Sequence, residues 1–191
     1  TAITNAGLEQ LKNVKTLRRI DLSRCNVTDA GIEHLASLTN LESLNLSTTA
    51  ISDKGLAPLA GMSQLQALFL SDTAIGDHGL EHLKKLTKLQ RLDLTGTKIT
   101  DNGMLLLVNW KDLRVLNLAK TAISNNGLLD LKALPQLQSL ALRETQIGDA
   151  GLDHVAALTR LETVWLGQTN VSKAGTNKLH DALPKCRIYW P

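Results

Sequence analysis

Aspartate recurs as Asp29, Asp53, Asp77, Asp101 and Asp149, all on one 24-residue frame, and Asn5 and Asn125 occupy the same frame. A row of carboxylates could hold hard divalent cations, which take oxygen ligands. His34, His82 and His154 share a second frame, and imidazole could ligate zinc or serve as a base. Ser23, Ser47 and Ser71 share a third and could supply nucleophiles. Geometry argues against each chemistry. If every unit adds one strand, His34 and His82 stand about 10 Å apart, whereas zinc ligands lie about 2 Å from a common ion. The serines belong to the strand side of the unit and the histidines to the helix side, so no serine–histidine pair can form. The aspartates fall where helices should start, and capping accounts for them. We therefore expect no catalytic residue, no metal and no cofactor.

Aromatic residues on one strand column carry more information. The fifth position of each unit reads Asp21, Asn45, Phe69, Asp93, Asn117, Ala141, Trp165 and Tyr189. All should point away from the core, and large apolar groups there are less expected than polar ones. Trp165 and Tyr189 fall on neighbouring strands, so their Cβ atoms should be about 5 Å apart. Arg143 and Gln168 should border them, with Arg187 flanking Tyr189. Aromatics rimmed by arginine and amide groups have the composition of an interface hot spot. Phe69 lies four strands away, about 19 Å along the sheet, so a ligand touching all three aromatics must be macromolecular. The candidate binding residues are Phe69, Asp93, Arg143, Trp165, Gln168, Arg187 and Tyr189. The competing reading is that the Trp165–Tyr189 pair only shields the last strand.

The elements that place these residues are copies of one unit, seen clearly in residues 89–112. Leu89, Leu92 and Leu94 hold its first, fourth and sixth positions, Thr97 the ninth and Ile99 the eleventh. The same frame opens at Leu17, Leu41, Leu65, Leu113, Leu137 and Leu161, always 24 residues apart. A fixed period in this range marks a solenoid. The alternation in Leu44–Asn45–Leu46 predicts a strand with one buried face. Identical connections make the sheet parallel, with eight strands centred near the fifth-position residues. The ninth position, threonine except for Cys25, offers a small donor to unpaired turn carbonyls. Glycine stands two residues after each helix start, from Gly7 to Gly175. Glycine costs about 1 kcal/mol in a helix, so its recurrence predicts close approach between adjacent turns. The helix should bury positions sixteen, nineteen and twenty-two, as in Leu80, Leu83 and Leu86. In the last unit Lys173 replaces the aspartate and Ser172 is expected to cap. Ile188 and Trp190 fall on buried positions of a final strand bracketed by Pro184 and Pro191.

Composition supports one repeated architecture. The chain has 191 residues, only 3% of them aromatic, and a net charge of +3 with both signs dispersed. Residues 1–191 read as a single domain of about eight units, the first truncated and the last degenerate. Because Thr1 stands mid-unit, the chain is expected to be a piece of a longer protein. No basic block points to nucleic acid, no apolar run matches a membrane span, and no signal-peptide pattern opens the chain. Cys25 and Cys186 are six to seven strands apart, about 30 Å, beyond disulfide reach.

The motif LxxLxLxxT-x-I-[TS]-D-x-G-L resembles the leucine-rich repeat family along essentially the whole chain. Threonine in the turn and the Asp-x-Gly-Leu helix start resemble the cysteine-containing subclass. The run of near-identical units is most similar to bacterial members. The resemblance implies a curved α/β solenoid with a parallel inner sheet and outer helices, no catalysis, and binding of another macromolecule, usually protein. The expected function is a protein-binding module of a larger bacterial protein, engaging its partner on the concave sheet. The alternatives are an architectural spacer, or recognition of a carbohydrate or small ligand at the aromatic C-terminal end.

Overall fold

The computed structural model describes residues 3–190. Pro191, expected to bracket the last strand, and Thr1 lie outside the described residues. Eight three-residue strands form one sheet: β1 (Arg19–Asp21), β2 (Ser43–Asn45), β3 (Ala67–Phe69), β4 (Arg91–Asp93), β5 (Val115–Asn117), β6 (Ser139–Ala141), β7 (Thr163–Trp165) and β8 (Arg187–Tyr189). They pair in sequence order, all parallel and in phase, so Leu44 faces Leu68 and Leu68 faces Leu92. The centre of each strand is the fourth position, one residue before the expected fifth; it is buried in β2 to β7 and half-buried in the outermost strands. Three residues suffice for each strand because its backbone groups pair with the repeats on either side. A second, looser parallel ladder follows the turns, in which Ala50 N–H donates to Val27 O at 3.1 Å and Lys98 N–H to Ile75 O at 2.7 Å.

The core is a continuous column of leucine. Positions one, four, six, eleven, sixteen, nineteen and twenty-two point into it, and Leu65, Leu68, Leu70, Ile75, Leu83 and Leu86 are wholly buried. Trp110 fills a twenty-second position, fully buried, and its Nε1–H donates to Leu83 O at 3.3 Å. Outer segments begin as α-helix in several units, such as Asp77–Leu83 and Asp149–Val155, but are 3-10 helix over Asp53–Gly61, Leu105–Asn109, Asn125–Leu128 and Leu131–Ala133. Both kinds share the three-residue burial interval, Leu56, Leu59 and Met62 in a 3-10 unit and Leu152, Val155 and Leu158 in an α-helical one, an interval that the 3-10 turn accommodates. In the last unit Thr176, Leu179 and Leu183 are buried, at intervals of three and then four. That segment, Lys173–Ala182, is a regular α-helix of 10 residues.

Two features of the turns hold successive strands in place. The ninth-position hydroxyls donate to the carbonyl three residues earlier, Thr49 Oγ1 to Leu46 O and Thr97 Oγ1 to Leu94 O, both at 2.6 Å. The eighth position takes a left-handed backbone in every full unit, including Thr48 (φ 56°), Asp72 (φ 53°) and Gly96 (φ 64°). Non-glycine residues pay a steric cost there. The conformation persists because the same residues' N–H groups bond across the sheet, as Thr48 N–H does to Ser71 O at 2.7 Å.

The repeated aspartates do not cap their own helices, contrary to the sequence expectation. The N-cap is one residue earlier: Thr28, Ser52, Gly76, Thr100, Ser124, Gly148 and Ser172 have extended backbone there. Each aspartate instead reaches sideways to the N-cap of the following unit. Asp29 Oδ1 accepts from Ser52 N–H at 2.7 Å and its Oδ2 from Ser52 Oγ at 2.6 Å. Asp77 holds Thr100 and Asp101 holds Ser124 in the same bidentate way. Asp53 and Asn125 meet glycine N-caps and accept from the N–H of Gly76 and Gly148 alone. This row of rungs accounts for the glycines. A Cβ on Gly79 would stand 2.6 Å from Asp53 Oδ1, and one on Gly151 2.6 Å from Asn125 Oδ1. Adjacent turns do approach closely, as expected, but what fills the space is the preceding unit's carboxylate. Ser172 caps the last helix as expected, accepting from Gly175 N–H at 3.1 Å.

Candidate functional site on the concave face

Odd positions of the strands project from the sheet, so the third, fifth and seventh positions line the concave face. The fifth-position column divides by chemistry. Asp21, Asn45, Asp93 and Asn117 each fold their side chain back onto their own turn. Asn45 Oδ1 accepts from Ser47 N–H at 3.0 Å, and Asp93 Oδ1 from both Thr95 N–H at 3.0 Å and Thr95 Oγ1 at 2.6 Å. These are Asx turns, a use of Asp and Asn that needs no ligand. Hydrogen bonding from Ser23, its hydroxyl and then its backbone N–H, holds the Asp21 carboxyl below the usual carboxylate range. Phe69, Ala141, Trp165 and Tyr189 break the pattern, having no acceptor to give the turn.

Trp165 and Tyr189 stack. Their ring centroids are 5.4 Å apart and their planes 8° from parallel, the offset arrangement that aromatic quadrupoles favour. The register of β7 and β8 sets Trp165 directly opposite Tyr189. Trp165 is half-buried and Tyr189 is 48% exposed. Arg143, Gly167, Gln168 and Trp190 complete a shallow depression around the pair. The Arg143 side chain passes over Gly167, with Nε 3.4 Å from where a Cβ would stand. Arg143 and Trp165 also form one wall of a second depression, whose floor is built from small side chains including Ala119, Ser139 and Ala141. Its rim carries Lys120 and Glu144, paired at 3.7 Å.

The seven candidates therefore separate. Arg143, Trp165, Gln168 and Tyr189 share one depression. Arg187 is exposed on β8 but does not line it. Phe69 lines a different trough, near β1 to β4. Asp93 is engaged by its turn. The sequence reading missed Trp190 as a wall of the site, and missed the floor around Ala141. The small residues at Ala119 and Ala141 were the available signal, since the equivalent positions elsewhere are mostly larger or polar. Trp190 is half-buried against the core, as expected, and its Nε1–H donates to Val171 O at 3.1 Å. Trp190, Ile188, Leu183 and Cys186 pack on the core at the C-terminal end, whereas Tyr189 is exposed. Burial raises the Cys186 thiol above its ordinary range. Among the described residues no group of three or more His, Cys, Asp or Glu side chains is arranged to hold a metal ion. No helix of the described residues is long and apolar enough to cross a membrane.

Comparison with known proteins agrees with this architecture. One leucine rich repeat family model matches residues 15–75, and a second matches residues 85–108 and 134–156. The chain belongs to the leucine-rich repeat family. Its repeats superpose on internalin C2 of Listeria monocytogenes with a TM-score of 0.72 and 27% identity, covering 97% of this chain and 73% of the internalin. The fold is shared with a leucine-rich repeat protein of Leptospira interrogans, at TM-score 0.68 and 20% identity, covering 94% of this chain and 50% of that one. It is shared also with the plant peptide hormone receptor RGFR1 in complex with RGF2, at TM-score 0.63 and 18% identity, covering 96% of this chain and 30% of the receptor. A search of curated proteins finds no match. Leucine-rich repeats commonly serve as protein-interaction modules and are typically non-enzymatic.

Proposed function

We propose that this leucine-rich repeat domain, residues 1–191, is a non-catalytic recognition module of a larger bacterial protein, and that it binds a protein partner on the C-terminal half of its concave face. The observation that carries this reading is the stacked Trp165–Tyr189 pair. It replaces the self-bonded Asp or Asn of four other units with exposed aromatic surface, and Trp190, Ile188, Leu183 and Cys186 pack on the core at that end. Arg143 and Gln168 supply donors at the rim, and the Ala141 floor beside Trp165 offers a recess for a partner side chain. Aromatic and arginine anchors around a recess are the usual composition of an interface hot spot. Likeness in fold to internalin C2 supports the bacterial setting.

The test is the double variant Trp165→Ala and Tyr189→Ala in a pull-down from bacterial lysate, with circular dichroism as the check of fold. Loss of a retained protein with the fold intact is the expected result. Full retention of the partner by the folded double variant would place the binding surface elsewhere. Loss of folded signal would assign the pair to the solenoid end and remove the proposed site.

A further inference from the structure

The N-terminal half of the concave face carries a second trough with different chemistry, lined by Arg19, Glu42, Ser43, Gln66, Ala67, Phe69, Gln90 and Arg91. Its geometry follows from the third-position column, which reads Arg19, Ser43, Ala67 and Arg91 on β1 to β4, in register. Two short side chains make a floor between two arginines, and Phe69 forms one wall. Arg19 and Arg91 are exposed, and among the described residues neither is in an ion pair. The acids on the same strands and in the trough lining hold other partners. Glu42 is paired with Arg18 at 2.8 Å, and Asp21 and Asp93 accept hydrogen bonds from their own turns. The trough therefore presents two guanidinium groups that, among the described residues, no carboxylate of the chain meets at ion-pair distance.

We propose that this trough binds an extended acidic peptide segment lying across the strands. Three strand spacings separate Arg19 from Arg91, about 14 Å at about 4.8 Å each. Four residues of extended chain span about the same length, at about 3.4 Å per residue. Two carboxylates four residues apart can thus meet both guanidinium groups, whose planar donor forks suit carboxylate oxygens. The residue midway between them falls between Ser43 and Ala67, beside the Phe69 wall, where an apolar side chain fits. Gln66 and Gln90 offer amide donors and acceptors to the peptide backbone.

The probe is a fluorescein-labelled synthetic peptide of about nine residues, with glutamates four apart and a leucine midway, followed by fluorescence anisotropy at low salt. Three changes isolate the recognition: lysines in place of the glutamates, glutamates moved to two residues apart, and the protein double variant Arg19→Glu and Arg91→Glu. The four-apart glutamate peptide should bind at least about tenfold more tightly than either altered peptide, and raised salt should weaken it. The charge-reversed protein should lose about tenfold for the glutamate peptide and gain affinity for the lysine peptide, a readout that misfolding cannot produce. Trp165→Ala with Tyr189→Ala should leave this binding unchanged, so the result is independent of the C-terminal site. The proposal is overturned by equal binding of glutamate and lysine peptides, by indifference to spacing, by absence of binding at millimolar peptide, or by loss of binding in a Trp165→Ala, Tyr189→Ala protein whose circular dichroism is native.

Discussion

Gly55→Ala should destabilise the native protein and stabilise one that lacks Asp29. The three atoms nearest to a methyl group placed on Gly55 all belong to Asp29, the closest being Oδ1. That oxygen accepts from Ser52 N–H at 2.7 Å while Oδ2 accepts from Ser52 Oγ at 2.6 Å. The methyl must displace the carboxylate, and hydrogen bonds to a charged acceptor contribute about 1.5–3 kcal/mol. Asp29 and Ser52 are only half-buried, so about 2 kcal/mol for the rung is reasonable. Against this, alanine gains up to about 1 kcal/mol over glycine in a helical segment. The net expectation is a loss of about 1 kcal/mol in the native background. In Asp29→Ala the clash is gone and only the propensity gain remains, so the same substitution should stabilise by about 0.5–1 kcal/mol. The coupling across the cycle is then about 2 kcal/mol. Urea denaturation of the four proteins measures it, compared at the transition midpoint because solenoids can depart from two-state unfolding. If Gly55→Ala has the same sign and size in both backgrounds, the glycines are not there to admit the carboxylates, and the rung account fails.

Two further expectations follow from the same architecture. The Ser172 hydroxyl and then its N–H hold the Asp149 carboxyl below its ordinary range, so its rung stabilises fully above the unfolded carboxyl value of about 3.9 and weakens as pH falls through the lower folded value. The thermal midpoint of the native protein should exceed that of Asp149→Asn at pH about 6–7 and converge with it below pH about 4; a constant gap down to pH about 3 would contradict the shift. Thr48 is β-branched at φ 56°, so Thr48→Gly should raise the denaturation midpoint, by about 1 kcal/mol in stability, and a fall in the midpoint would show that its side chain contributes more than its backbone strain costs.

Sequence periodicity alone determined the solenoid, its parallel sheet, the leucine positions, the small donor in the turn, and the face on which Trp165 and Tyr189 stand. These are consequences of a repeated frame: once Leu92 and Leu94 are inward, Asp93 must be outward, and neighbouring units inherit the register. The pairing of Trp165 with Tyr189 in the proposed site could be read for the same reason, because the fifth position of one strand sits beside the fifth position of the next. What the sequence could not show was where flexible polar side chains turn. Asp29 is a good helix cap by local rules, yet its carboxylate crosses to Ser52, 23 residues later. Asp93 looks like a free acid on an open face, yet it bonds Thr95. That Arg19 and Arg91 stand without an ion-pair partner among the described residues is likewise visible only in the fold. Apolar residues have one place to go, out of water, and periodicity names it. A polar side chain has several possible partners within reach, and only the folded stack decides which is nearest.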